Sequence, residues 1–133
     1  MCKNINLSKL IKKLDDVFQM YIRNRDNFVC ITCGKKFPKG EREECHAGHF
    51  IGRGIYSTRW DEENVNCQCS KCNYRQFLGD KEIINNYEEK LKLKYGKDVI
   101  ERLFQKKHKV FKLTREFLED KIKFYKNAVE TEK

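Results

Sequence analysis

Apolar residues at Leu7, Leu10, Ile11, Leu14, Val17, Phe18, Tyr21 and Ile22 recur at intervals of three and four. That is the period of one buried helical face, so the pattern predicts a helix over residues 7–25, capped by Asn6 or Ser8. The period then changes. Residues 27–33 (Asn-Phe-Val-Cys-Ile-Thr-Cys) form a short β-like run closed by Gly34, and Pro38 and Gly40 mark a turn before a second extended stretch at 44–50. Gly52 and Gly54 open an irregular loop through about Trp60, and a helix is expected from Ser70, with Cys72 and Asn73 in its first turn. Asp80 caps a further helix that carries Ile83, Ile84, Tyr87 and Leu91 on one face and stops at Gly96. The last segment, about 97–129, repeats apolar doublets every seven residues: Leu103/Phe104, Val110/Phe111, Phe117/Leu118 and Phe124/Tyr125. It reads as one long helix of about 50 Å. A stripe of that length exceeds what a small core covers; packing back on the N-terminal helix is expected to hide part of it, and a homodimer held largely through the C-terminal helix the rest.

These elements describe a mostly helical α+β chain, single-domain overall. Its parts are an N-terminal helix (1–26), a compact core (27–79) and a C-terminal helical extension (80–133). Charge adds a partner. The chain carries a formal net charge of +9, an excess that suits a polyanion such as DNA, because each phosphate neutralised releases condensed counterions. No apolar run is long enough for a signal peptide or a membrane span, which leads to the expectation of a cytoplasmic protein.

The cysteines bring in metal. Of seven, four stand in two matched pairs, Cys30-Ile31-Thr32-Cys33 and Cys69-Ser70-Lys71-Cys72. Each Cys-x-x-Cys knuckle presents two sulfurs to one edge of a tetrahedron, so the pairs predict a structural zinc bound by Cys30, Cys33, Cys69 and Cys72. Thiols at such spacing belong to a reducing compartment. Cys2, Cys45 and Cys67 read as ordinary thiols, since Cys67-Gln68-Cys69 lacks the knuckle spacing. His46 and His49 lie between the pairs, whereas His108 sits in the basic run Lys106-Lys107-His108-Lys109 and reads as part of a solvated face.

The order of His49, Asn64 and Asn73 within and just beyond the stapled segment resembles that of an HNH nuclease, a ββα-metal hydrolase of nucleic acids. The runs His46-Ala47-Gly48-His49-Phe50-Ile51, Arg59-Trp60-Asp61-Glu62-Glu63-Asn64-Val65 and Gln68-Cys69-x-x-Cys72-Asn73, with Gly79, resemble the phage NinG (Rap) recombination protein family over about residues 30–96. That family is associated with branched or recombining DNA and grouped with HNH-type nucleases. Asn73 directly after the second knuckle is also similar to the arrangement in phage endonuclease VII, a dimeric junction resolvase.

The resemblance implies a zinc-stapled ββα-metal core and a metal-dependent endonuclease of branched, Holliday-junction-like DNA, acting in the cytoplasm of a bacterial host. It assigns His49 as general base and Asn73 as a ligand of a catalytic Mg2+ or other divalent cation. Asn64 becomes the central asparagine of the catalytic motif, securing a loop by hydrogen bonds. One departure stands out. Many HNH sequences place a metal-binding Asp or His before the base, where this chain has Gly48. His46, two residues earlier on the same face of an extended strand, is the nearest replacement, with Asp61 or Glu62 as fallbacks. Arg53, Arg59, Lys71 and Arg75 are the candidate phosphate contacts. The alternative is a non-catalytic zinc-stapled module that binds nucleic acid or protein through its basic surface.

Overall fold

A computed structural model describes residues 6–131. Helix α1 spans Leu7–Arg25, and the Asn6 side chain caps it by accepting from the Ser8 amide at 3.0 Å. Strands β1 (Cys45–His49) and β2 (Val65–Cys69) pair antiparallel in a two-stranded sheet, with His46 opposite Gln68 and Gly48 opposite Asn66. Between them lies the short helix α2, Tyr56–Arg59. Helix α3 (Ser70–Phe77) follows β2 directly, then α4 (Lys81–Tyr95), α5 (Val99–Lys107) and α6 (Arg115–Thr131). Asp80 caps α4 by accepting from the Glu82 and Ile83 amides, and Gly96 ends it at a φ of 99° that L side chains rarely adopt.

Three apolar clusters hold these elements together. Leu10, Leu14, Phe18 and Ile22 of α1 pack with Ala47, Trp60, Val65 and the α6 residues Leu118 and Tyr125. The cysteines gather with Phe28, Phe37 and Ile83. Ile51 joins Tyr87 and Leu91 of α4 to Val99 and Leu103 of α5. The N-terminal and C-terminal helices are therefore walls of one body, with the sheet between α1 and α3.

Two expectations about elements are corrected. Residues 27–33 do not form a strand: Asn27 and Phe28 take positive φ, and only an isolated bridge joins Val29 to Lys36. Nor is 97–129 one helix. The chain leaves helical conformation at His108 and resumes at Arg115, where Thr114 caps α6 by accepting from the Phe117 amide at 3.0 Å. Like charges crowd this break (Lys106, Lys107, Lys109, Lys112), which disfavours a continuous helix. Folding back lets α6 lay its apolar stripe on α1, with Tyr125 against Phe18 and Tyr21 at ring separations of 4.9 Å. Leu118 and Tyr125 of the stripe are thus covered within the chain, whereas Phe104, Val110 and Phe124 stay exposed. Among the described residues no helix is long and apolar enough to cross a membrane.

Candidate functional site

The two knuckles meet. The sulfurs of Cys30, Cys33, Cys69 and Cys72 all lie within 4.8 Å of one another, with Cys33 and Cys69 at 3.8 Å. A tetrahedral zinc with Zn–S bonds of about 2.3 Å sets its sulfurs about 3.8 Å apart, so the cluster could hold one zinc ion. Both knuckles repeat one local device: the Cys33 amide donates to Cys30 Sγ and the Cys72 amide to Cys69 Sγ, each at 3.4 Å. Cys69 is at once the last residue of β2 and the cap of α3, so a metal here would fix the corner between strand and helix. Burial pushes the Cys69 thiol up to about 12, and a cation among the sulfurs offsets that cost of ionisation. Cys45 and Cys67 stand apart from the cluster and face each other, with their sulfurs 2.8 Å apart.

Beside this corner opens a groove of about 1310 Å³ between α1, β1, α3 and α5. His46, His49 and Asn73 line it together. His49 ends β1, and its Nε2 lies 2.9 Å from the Arg59 carbonyl. A carbonyl only accepts, so Nε2 carries the proton and Nδ1 keeps the lone pair. Burial pushes the imidazole down to about 4; the bond to the Arg59 carbonyl opposes this, and the Arg53 guanidinium adds to the depression. The ring is therefore neutral in neutral solution. His46 takes the same tautomer: Nε2 donates to the Glu43 carbonyl at 2.9 Å, and the Nδ1 lone pair accepts from Asn73 Nδ2 at 3.3 Å, a bond that a cation there would replace. A lone pair on one ring nitrogen, with the other tied to a backbone carbonyl, is how a metal-binding histidine is oriented.

Asn64 does not reach the groove. It is fully buried, accepts from the Ile51 amide at 2.7 Å and donates to the Ile51 and Thr58 carbonyls. These bonds fasten the loop between the strands. The fallback ligands are also occupied elsewhere. Asp61 pairs with Lys106 at 2.7 Å, and the two Glu62 oxygens accept from the Tyr21 and Tyr125 hydroxyls.

The candidate phosphate contacts divide. Arg53 lines the groove with its side chain 54% exposed, although one nitrogen pairs with Asp15 at 2.9 Å. Arg59 is committed: its guanidinium forks onto both Asp15 oxygens and also donates to the Arg53 carbonyl. Arg75 pairs with Asp80 at 2.7 Å, and Lys71, though exposed, lies outside the groove lining. Arg23 of α1, Arg42 of the loop before β1 and Lys107 of α5 line it instead. Nothing in the local sequence marks these three, because they come together only when α1 and α5 are placed around β1.

No curated protein and no solved structure matches the chain significantly. The family comparison gives a positive result. The model of the bacteriophage lambda NinG protein family matches residues 3–133, spanning the cysteine pairs, the groove and the described helices, and the chain belongs to that family.

Proposed function

We propose that this chain is a metal-dependent endonuclease of HNH type that hydrolyses phosphodiesters in branched or recombining DNA. The observation that carries the reading is the meeting, in one groove, of a neutral imidazole at His49 with the facing pair His46 and Asn73. In the proposed step His49 Nδ1 removes a proton from water as the water oxygen bonds to phosphorus, and the opposite P–O bond breaks. The Arg59 carbonyl holds the ring in the tautomer that makes this possible. His46 Nδ1 and the Asn73 amide oxygen would hold the divalent cation, which when bound stabilises charge on the phosphate and leaving oxygens. Arg23, Arg42, Arg53 and Lys107 supply positive charge along the groove for flanking phosphates. Zinc on the four cysteines would keep β2 and α3 at the angle that brings Asn73 to His46.

The test is cleavage of linear, flapped and four-way DNA in magnesium or manganese by the wild-type chain and by His49→Ala. The expected result is metal-dependent cutting by the wild type alone, strongest on branched substrates. Absence of metal-dependent cutting by fully zinc-loaded wild type on all three substrates overturns the proposal and leaves the binding-module reading.

A further inference from the structure

The groove also carries chemistry that phosphate hydrolysis does not use. Tyr74 and Phe77 of α3 are 62% and 84% exposed, and Phe104 of α5 is 43% exposed; all three line the groove. Tyr74 follows Asn73 directly and Phe77 lies three residues further, so their rings stand on one side of α3 next to the His46–Asn73 pair. Rings left in water at one place mark a binding surface more often than an accident of packing.

The charges around the rings say what kind of occupant fits. Lys107 Nζ sits 5.6 Å from the centre of the Phe104 ring. Arg23 feels the Arg42 guanidinium, a like charge, across the groove wall, and no carboxylate pairs with either among the described residues. An apolar peptide face would leave these cations without partners, and a second copy of a chain with formal net charge +9 would add to the repulsion. An occupant with flat faces and a negative backbone satisfies both sets of groups. Nucleic acid has these features, but a continuous duplex keeps its base faces stacked inside. Only unpaired nucleotides offer them to a protein ring.

We infer that Tyr74, Phe77 and Phe104 form a stacking platform for unpaired nucleotides beside the scissile phosphate, so that the groove takes DNA with exposed bases in preference to continuous duplex. The inference rests on reading the groove as a DNA site, and it makes single-strandedness near the cut the feature selected. It also gives three residues outside the hydrolytic set a part in specificity.

The experiment is fluorescence anisotropy with the zinc-loaded full chain and no added magnesium. Its probes are a single-stranded oligonucleotide, the same strand with abasic sites, and a duplex. Tyr74→Ala and Phe77→Ala should each weaken single-strand binding by about ten-fold and leave the abasic and duplex probes nearly unchanged. Phe77→Tyr should restore the loss, and a 2-aminopurine base in the strand should be quenched by wild type but not by Phe77→Ala. The ring at position 77 is mostly in solvent, so its removal does not threaten the fold. Equal affinity of all variants, equal losses on all three probes, or a fall from dimer to monomer mass in Phe77→Ala overturns the platform. No cleavage is scored, so the two readings fail separately. A chain that never cuts DNA can still pass this test, and a competent nuclease can fail it.

Discussion

Gln68 fills the space into which any side chain at position 48 would have to grow. A Cβ added to Gly48 would meet Gln68 Cβ at 2.9 Å and Cδ at 3.0 Å. Gln68 has no room to yield, because it is fully buried and its Nε2 donates to Gln76, whose own amide donates to the His49 carbonyl. The position that commonly carries a metal-binding Asp or His in HNH nucleases is therefore closed here. Gly48→Ala should destabilise the fold by about 1–3 kcal/mol in urea denaturation, as overpacking does. Adding Gln68→Ala should recover part of that loss, and a strictly additive double mutant would show that the two sites do not touch.

Metal occupancy gives a second prediction. Cys69→Ser should lose zinc by elemental analysis and melt at lower temperature, because one residue supplies both a ligand and the cap of α3. Cys45→Ser should keep its zinc, since its sulfur faces Cys67 rather than the cluster. Full zinc in Cys69→Ser would break the four-cysteine assignment.

Kinetics should separate the groove residues. His49→Ala should lower cleavage by about 10²–10⁴-fold with zinc content and DNA affinity unchanged, as expected for a group that acts in the transition state. His46→Ala and Asn73→Ala should instead raise the concentration of divalent ion needed for half-maximal rate, so their defects shrink at high manganese. If all three variants behave alike in a metal titration, the division of roles is wrong.

The buried histidine also shapes stability against pH. Its native value is pushed down to about 4, whereas in the unfolded chain it titrates near its ordinary value of 6.5. Between those limits the unfolded state binds a proton that the native state refuses. The contribution is complete above pH 6.5 and is lost as the pH falls toward 4. His49→Gln should flatten that part of the stability curve measured by urea titration.

Asp15 makes a fifth test. Burial raises its carboxyl, but hydrogen bonds from Arg59 and Trp60 and the charge of Arg53 outweigh that and hold it below the ordinary 3.8. Its stabilisation is present above that value and is lost as pH falls through the depressed native pKa. Asp15→Asn should cost about 3 kcal/mol near neutrality, because it leaves a largely shielded Arg59 without its counter-charge. Thermal melts at pH 7 and at pH 3 should show the gap narrowing in acid.

Local rules made α1 and α4 readable: each has a helical period and a capping residue, Asn6 and Asp80, in its own stretch of chain. The four-cysteine cluster was readable for the same reason, because each half is four residues long. The break at 108–114 was not, since the seven-residue doublets run through it without Gly or Pro. Only one member of the doublets at 103, 118 and 125 is buried on each turn, and Thr114 was the one local sign of a new start. Arg59 misled because its partner, Asp15, lies 44 residues away. Arg23 and Arg42 went unnoticed because a groove has no signature in a linear string.

Residues Asp16, Gln19, Met20 and Arg23 make one bank of the groove, and the opposite side of the same helix is clamped by α6. On a ribosome, α1 emerges before the other described elements and α6 follows them. Until then Phe18 and Leu14 have no cover on that side, and the bank that carries Arg23 is not held in place. Synthesis therefore leaves the α1 bank of the groove unsupported until α6 has been made.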